Sequence, residues 1–220
     1  MNIVILGAPA SGKGTQAELV AKAFNLYHLQ TGAIARKLAE HDARISEIIN
    51  SGKLMPEEEM SLYVIDNLKD AKPELTNILF EGFPRFISQY EALEKYLTNK
   101  GDDIDAVFSL DIGKSLAIKR ISARRICEKC EEVFNLYTNP PKQTGICDKC
   151  GGKLVQREDD KPAAIETRFD QYEENTKELI DYLDKKGKLI RIDGSKPIDQ
   201  VFSDIQDKLK ELKNENTSKK

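Results

Sequence analysis

The sequence predicts an α/β fold, a five-stranded parallel sheet flanked by helices, and three observations lead there. Five short apolar runs punctuate the chain, each separated from the next by enough residues for a helical crossover. Segments of helical period fill most of the intervals. Two stretches interrupt the alternation: one is helical without a strand, the other is crowded with Cys, Pro, Gly and turn pairs. A length of 220 residues suits one such domain with two insertions better than two independent domains.

Taken in order, residues 2–6 form the first strand, and 15–24 the helix that follows it. Residues 27–30 are the second strand. A small helical insertion occupies 30–55, its body at 31–55. Residues 56–69 are helical, 78–81 the third strand, 87–100 a helix and 106–111 the fourth strand. Each strand is a buried-looking run too short for a helix. The second insertion, 123–160, is β-rich, its compact body at 125–160. A closing helix at 166–186, a fifth strand at 189–193 and a last helix at 197–213 complete the core. That core is thus 1–29, 56–122 and 161–213, with 214–220 a polar tail expected to fray.

The charge balance narrows function. There are 34 basic and 37 acidic residues, for a net charge of −3. No overall field draws nucleic acid or an anionic membrane, so any polyanion must meet local basic clusters. The apolar opening run is too short to span a bilayer and lacks the basic start of a signal peptide, so a cytoplasmic location is expected. Nine of the basic residues are arginine, which makes arginine scarce here and its placement informative. His28 and His41 are the only histidines and have no obvious metal partner.

Gly7-Ala8-Pro9-Ala10-Ser11-Gly12-Lys13-Gly14-Thr15 joins the first strand to the first helix. A glycine-rich turn at a helix N-terminus offers convergent backbone N–H groups and the positive end of the helix dipole to phosphate oxygens. Lys13 adds a point charge, and Thr15 a hydroxyl near magnesium. The fold is therefore of the P-loop NTPase type. The strict pattern asks for Ser or Thr directly after the lysine, whereas here Gly14 intervenes.

This variant loop resembles that of the adenylate kinases, nucleoside monophosphate kinases of the long-lid form, and later segments extend the likeness to about residue 205. Gln30-Thr31-Gly32-Ala33-Ile34-Ala35-Arg36 is similar to the start of the family's monophosphate-binding part, and Ser51-Gly52-Lys53-Leu54-Met55-Pro56 to its end. Phe80-Glu81-Gly82-Phe83-Pro84-Arg85, with Gln89, resembles the family signature. Arg120, Arg124, Gln156-Arg157-Glu158-Asp159-Asp160, Arg168 and Asp193-Gly194-Ser195-Lys196-Pro197 match in type and spacing. The resemblance implies phosphoryl transfer from MgATP to AMP, giving two ADP. It assigns ATP to Ala10, Ser11, Gly12, Lys13, Gly14, Thr15, Arg124, Val133, Phe134 and Lys196. It assigns AMP to Thr31, Arg36, Lys53, Leu54, Met55, Gly82, Phe83, Pro84, Arg85, Gln89, Arg157 and Arg168. Lys13, Arg85, Arg120, Arg124, Arg157 and Arg168 would carry the transfer, with Arg120 and Arg124 closing from the lid at 123–160. Six of nine arginines thus fall at positions where the family contacts phosphates or the nucleotide, and planar guanidinium forks suit phosphate oxygens. An acceptor other than AMP (UMP or CMP), a GTP donor, and a low-activity nucleotide-binding relative are the rival readings. A monomer is favoured.

Cys127-x-x-Cys130 and Cys147-x-x-Cys150 have zinc-ribbon spacing, and a closed shell of four thiolates makes a structural rather than a catalytic site. Disulfides, free thiols or a nucleic-acid-binding ribbon are the alternatives, the last disfavoured by a segment that is not strongly basic. Four positions depart from the family pattern. Ala10 and Ala123 replace glycines, which a loop tolerates where φ is negative. Ala33 and Glu81 stand where aspartates are expected around the waters of magnesium. Thr15 and Glu81 remain near that ion, and its hold is expected to be weaker.

Overall fold

The computed structural model describes residues 1–72 and 74–218. Five parallel strands, β1 (Ile3–Gly7), β2 (Tyr27–Gln30), β3 (Ile78–Glu81), β4 (Ala106–Asp111) and a later Leu189–Asp193, form a sheet in which β1 is central. The order runs β2, β3, β1, β4 and then the Leu189–Asp193 strand. From β1 the chain goes to the edge at β2, returns through β3 beside β1 and then crosses to the other side, which places a crevice at the carboxyl ends of the strands. Four of the five predicted strands match residue for residue; the first is shifted by one, to 3–7.

The helices are α1 (Lys13–Phe24), α2 (Thr31–Ala39), α3 (Ala43–Asn50), α4 (Glu57–Ala71), α5 (Ile87–Thr98), α6 (Lys114–Ser122), α7 (Pro162–Gln171), α8 (Lys177–Lys185) and α9 (Ile198–Ser218). The apolar runs had not singled out α6. The closing helix expected at 166–186 starts earlier, because Pro162 fits the first helical turn, where no N–H bond is lost. It also carries a π turn, Tyr172–Thr176, between α7 and α8. The last helix runs on to Ser218; residues 219 and 220 of the expected tail lie outside the described residues.

Alternation along β1 splits the core. Ile3 and Ile5 join Ala17 and Val20 of α1 and Val201 and Ile205 of α9 on one face. Val4 and Leu6 join Val64 and Leu68 of α4, Tyr90 and Leu97 of α5 and Leu179 of α8 on the other. Truncating a buried residue such as Phe108 to alanine costs about 3–5 kcal/mol at such sites. Ala35, Ile45 and Met55 tie the helical insertion into the second of these clusters. The other insertion folds on a small antiparallel sheet, β5 (Arg124–Cys127), β6 (Val133–Asn135) and β7 (Leu154–Val155), with β5 in the middle. The Leu189–Asp193 strand is β8.

Candidate active site

The loop between β1 and α1 sits at the centre of the crevice. Gly7 adopts φ 142°, and a Cβ there would fall 2.6 Å from the Leu110 carbonyl of β4, so only glycine fits. Gly12 caps α1 with φ 99°. No acidic residue occupies the first turn of α1, which leaves its amides and dipole open to an anion. Lys13 folds its ammonium over the loop and donates to the carbonyls of Gly7 (2.8 Å) and Ala8 (2.7 Å). The condition set for the two alanines holds at only one of them. Ala123 has φ −86°, but Ala10 has φ 58°, in the left-handed region that glycine occupies more cheaply.

Lys13 shares one cleft of about 1500 Å³ with Arg36, Arg85, Arg120, Arg124, Arg157 and Arg168. Burial lowers the Lys13 ammonium to about 7; Glu81 opposes this, while Arg85, Arg168 and Arg124 add to it. Arg157 is pushed down to about 9 by burial and by Arg124 and Arg36 beside it. The Nε groups of Arg36, Arg120 and Arg157 are buried without a hydrogen-bond partner among the described residues. A set of crowded cations, three of them with an unpartnered Nε, has the chemistry to receive oxyanions.

Sequence spacing missed what holds these arginines. Asp160, fully buried, accepts from Arg124 through both oxygens and from Arg168 Nη1 at 2.9 Å. Asp159 accepts from the same Arg168 nitrogen at 2.7 Å. The signal was present as three acids in tandem just after Arg157, but nothing local says that the last two turn toward the arginines. Arg120 also corrects an expectation. It belongs to α6 of the core rather than to the lid, and it donates to the carbonyls of Gly194 (2.7 Å) and Ser195 (3.1 Å).

Opposite the loop, Thr31, Lys53, Leu54, Met55, Gly82, Pro84 and Gln89 line the same cleft, as do Val133, Phe134 and Lys196. Gly82 has φ 80° and abuts the Thr31 hydroxyl. The Gln89 amide is oriented from both ends: Oε1 accepts from the Arg85 N–H (2.9 Å), and Nε2 donates to the Glu57 carbonyl (3.0 Å). One residue turns elsewhere and one is shared. Phe83 is packed into the main core, and Phe134 also belongs to the lid's own cluster with Cys127, Cys147 and Leu154. Lys196 is paired with Asp204 (2.7 Å).

In the lid the four cysteine sulfurs lie within 4.8 Å of one another, and all four are free thiols. The shorter separations, 3.3–3.6 Å, exclude disulfide bonds of about 2.05 Å and approach the spacing of a tetrahedral four-thiolate site. The two turns are built alike. Glu131 N donates to the Cys127 carbonyl (3.0 Å), and Gly151 N to that of Cys147 (2.9 Å), both residues having positive φ. A Cβ at Gly152 would lie 2.7 Å from the Cys127 sulfur, so the cradle closes on the cluster. The donor set fits zinc. For magnesium, Thr15 and Glu81 supply oxygen at the cleft, while Ala33 supplies none.

Comparison with known proteins agrees with this geometry. The sequence model of the adenylate kinase family matches residues 5–188. Among similar curated proteins, the adenylate kinase of Caldanaerobacter subterraneus subsp. tengcongensis is 41% identical over 94% of this chain and 95% of its own. That of Kosmotoga olearia is 41% identical over 96% of this chain and 100% of its own. That of Bacillus licheniformis is 38% identical over 95% and 98%. With a phosphate-binding loop, an arginine-lined cleft and a likeness covering nearly the whole chain, this protein belongs to the adenylate kinase family.

Proposed function

We propose that the chain catalyses reversible phosphoryl transfer from MgATP to AMP, giving two ADP, and carries a structural zinc ion in its lid. The observation that carries this reading is the single cleft in which Lys13 and six arginines converge. Phosphoryl transfer asks for positioning and charge rather than for a strong general base. Lys13 and the α1 amides hold the donor phosphates, and Arg36 and Arg85 the acceptor phosphate. Arg124, Arg157 and Arg168 stabilise charge on the group in flight. Magnesium, when bound, neutralises phosphate charge; Thr15 and Glu81 are the residues that would stand near it. The segment 123–160 covers the cleft and excludes water as a competing acceptor.

Gln89 supports AMP as acceptor. With one lone pair used by Arg85 N–H and one N–H used by Glu57, its amide keeps one acceptor and one donor, matching an adenine edge. Four unpaired cysteines suit a reducing, cytoplasmic setting. Among the described residues, no helix is long and apolar enough to cross a membrane. A monomer remains the expected state. A coupled assay of ADP formation with AMP, UMP, CMP and GMP tests the whole reading, and AMP should give the highest kcat/KM. Equal turnover of UMP or CMP would reassign the acceptor, and no turnover with any would remove the activity.

A further inference from the structure

Gln30 is the last residue of β2 and Glu81 the last of β3, and the two are partners in the parallel ladder. Their side chains therefore leave the sheet on the same face. Gln30 Nε2 lies 3.6 Å from the place a Cβ would take at Gly14. Its amide thus rests against the first turn of α1, beside the residue between Lys13 and Thr15. Both Gln30 and Glu81 line the cleft. Gln89 is held at both ends by the protein, whereas the Gln30 amide has no hydrogen bond to a described residue. The charge of Glu81 acts on Lys13 and Arg85 and, after Asp160 and Asp159, on Arg124.

From this placement we infer that Gln30 and Glu81 act as a pair that accepts hydrogen bonds from the water shell of the magnesium ion brought in with ATP. The inference rests on the kinase reading and adds a positioning residue to it. Magnesium dehydrates reluctantly, so the protein grips it largely through its waters. One carboxylate on one strand meets one side of a hydrated ion. A second acceptor on the next strand, about 4.8 Å away, reaches a neighbouring water. An amide suits the second place because it adds an acceptor without another negative charge facing the phosphates. Its N–H remains available to a phosphate oxygen.

The test compares the wild type with Gln30→Met, which keeps the volume, and Gln30→Glu, which keeps an acceptor; thermal melts show that each is folded. ATP affinity is measured by calorimetry with excess magnesium and with EDTA. Mn²⁺ affinity of the protein–ADP complex is read by electron paramagnetic resonance. Gln30→Met should weaken Mn²⁺ binding roughly tenfold and leave metal-free ATP affinity unchanged, while Gln30→Glu should retain the metal affinity. Equal losses with and without metal would overturn the proposal in favour of a direct nucleotide contact. No loss in either would overturn it outright. A wild type with no affinity for ATP would instead bring down the kinase reading on which it rests.

Discussion

At Ala10 the backbone takes φ 58°, where the single methyl is a steric cost that glycine does not incur. Relief of that strain exceeds the extra chain entropy of glycine. Ala10→Gly should therefore raise stability by about 1 kcal/mol, measurable as a shift in the urea midpoint at constant m-value. Lys13 carries a second cost. Its ammonium titrates near 7 in the folded, ligand-free chain against 10.5 ordinarily, because burial and the neighbouring arginines disfavour the charge. The unfolded chain then binds more protons between pH 7 and 10.5, so Lys13 costs most below pH 7 and ever less as pH rises through that window. Lys13→Met should stabilise the ligand-free protein at pH 7, and the gain should shrink toward pH 10. In the wild type, ATP phosphates placed on Lys13 as proposed should restore the charge, so binding at pH 8 should take up protons. Calorimetry in two buffers of different ionisation enthalpy would reveal the uptake.

At the scale of elements, one cysteine turn joins β5 to β6 and the other lies on the way from β6 to β7, in a lid whose sheet is short and whose apolar cluster is small. Burial alone holds so few side chains weakly against chain entropy, so on the zinc reading proposed above the metal should supply most of the lid's stability. Zinc removal by a chelator, or Cys130→Ser, should lower the melting temperature. Affinity of the α1 loop for ATP should survive, since that loop rests on β1, β4 and α1. Metal analysis finding less than about one zinc per chain in gently purified protein would contradict this; one closed four-thiolate shell holds one ion.

At the scale of the whole molecule, Asp160 ties the lid to the core. It sits on a short 3₁₀ turn, Glu158–Asp160, and joins Arg124 at the start of the lid to Arg168 on α7 of the core. Both arginines face the cleft, so one carboxylate sets their mutual orientation across the lid–core junction. Asp160→Ala leaves two guanidiniums without their buried partner and should cost about 3–5 kcal/mol of stability. Asp160→Asn keeps the shape and loses the charge. If the two arginines serve the transition state as proposed, it should lower kcat by roughly 10²-fold with a smaller change in KM. A rise in KM at unchanged kcat would place the pair in ground-state binding instead.

Sequence alone determined the strands, the phosphate loop, the cysteine site and the arginines, because each is written in local pattern. A strand is a short apolar run, a phosphate loop is a glycine-rich turn before a helix, and a metal knuckle is a fixed spacing. Likeness to a family then led to the roles proposed for them. Tertiary structure alone decided which groups satisfy one another at a distance. It turned Asp160 inward beneath Arg124 and Arg168, fixed the Gln89 amide between Arg85 and Glu57, and set Gln30 beside Glu81. It also moved Arg120 from the lid to α6 and gave Ala10 a positive φ. These depend on pairings between residues far apart in the chain and on backbone angles imposed by packing. Neither leaves a period or a spacing to read, so the physical reason they stayed hidden is that their energy arises only once the chain has folded.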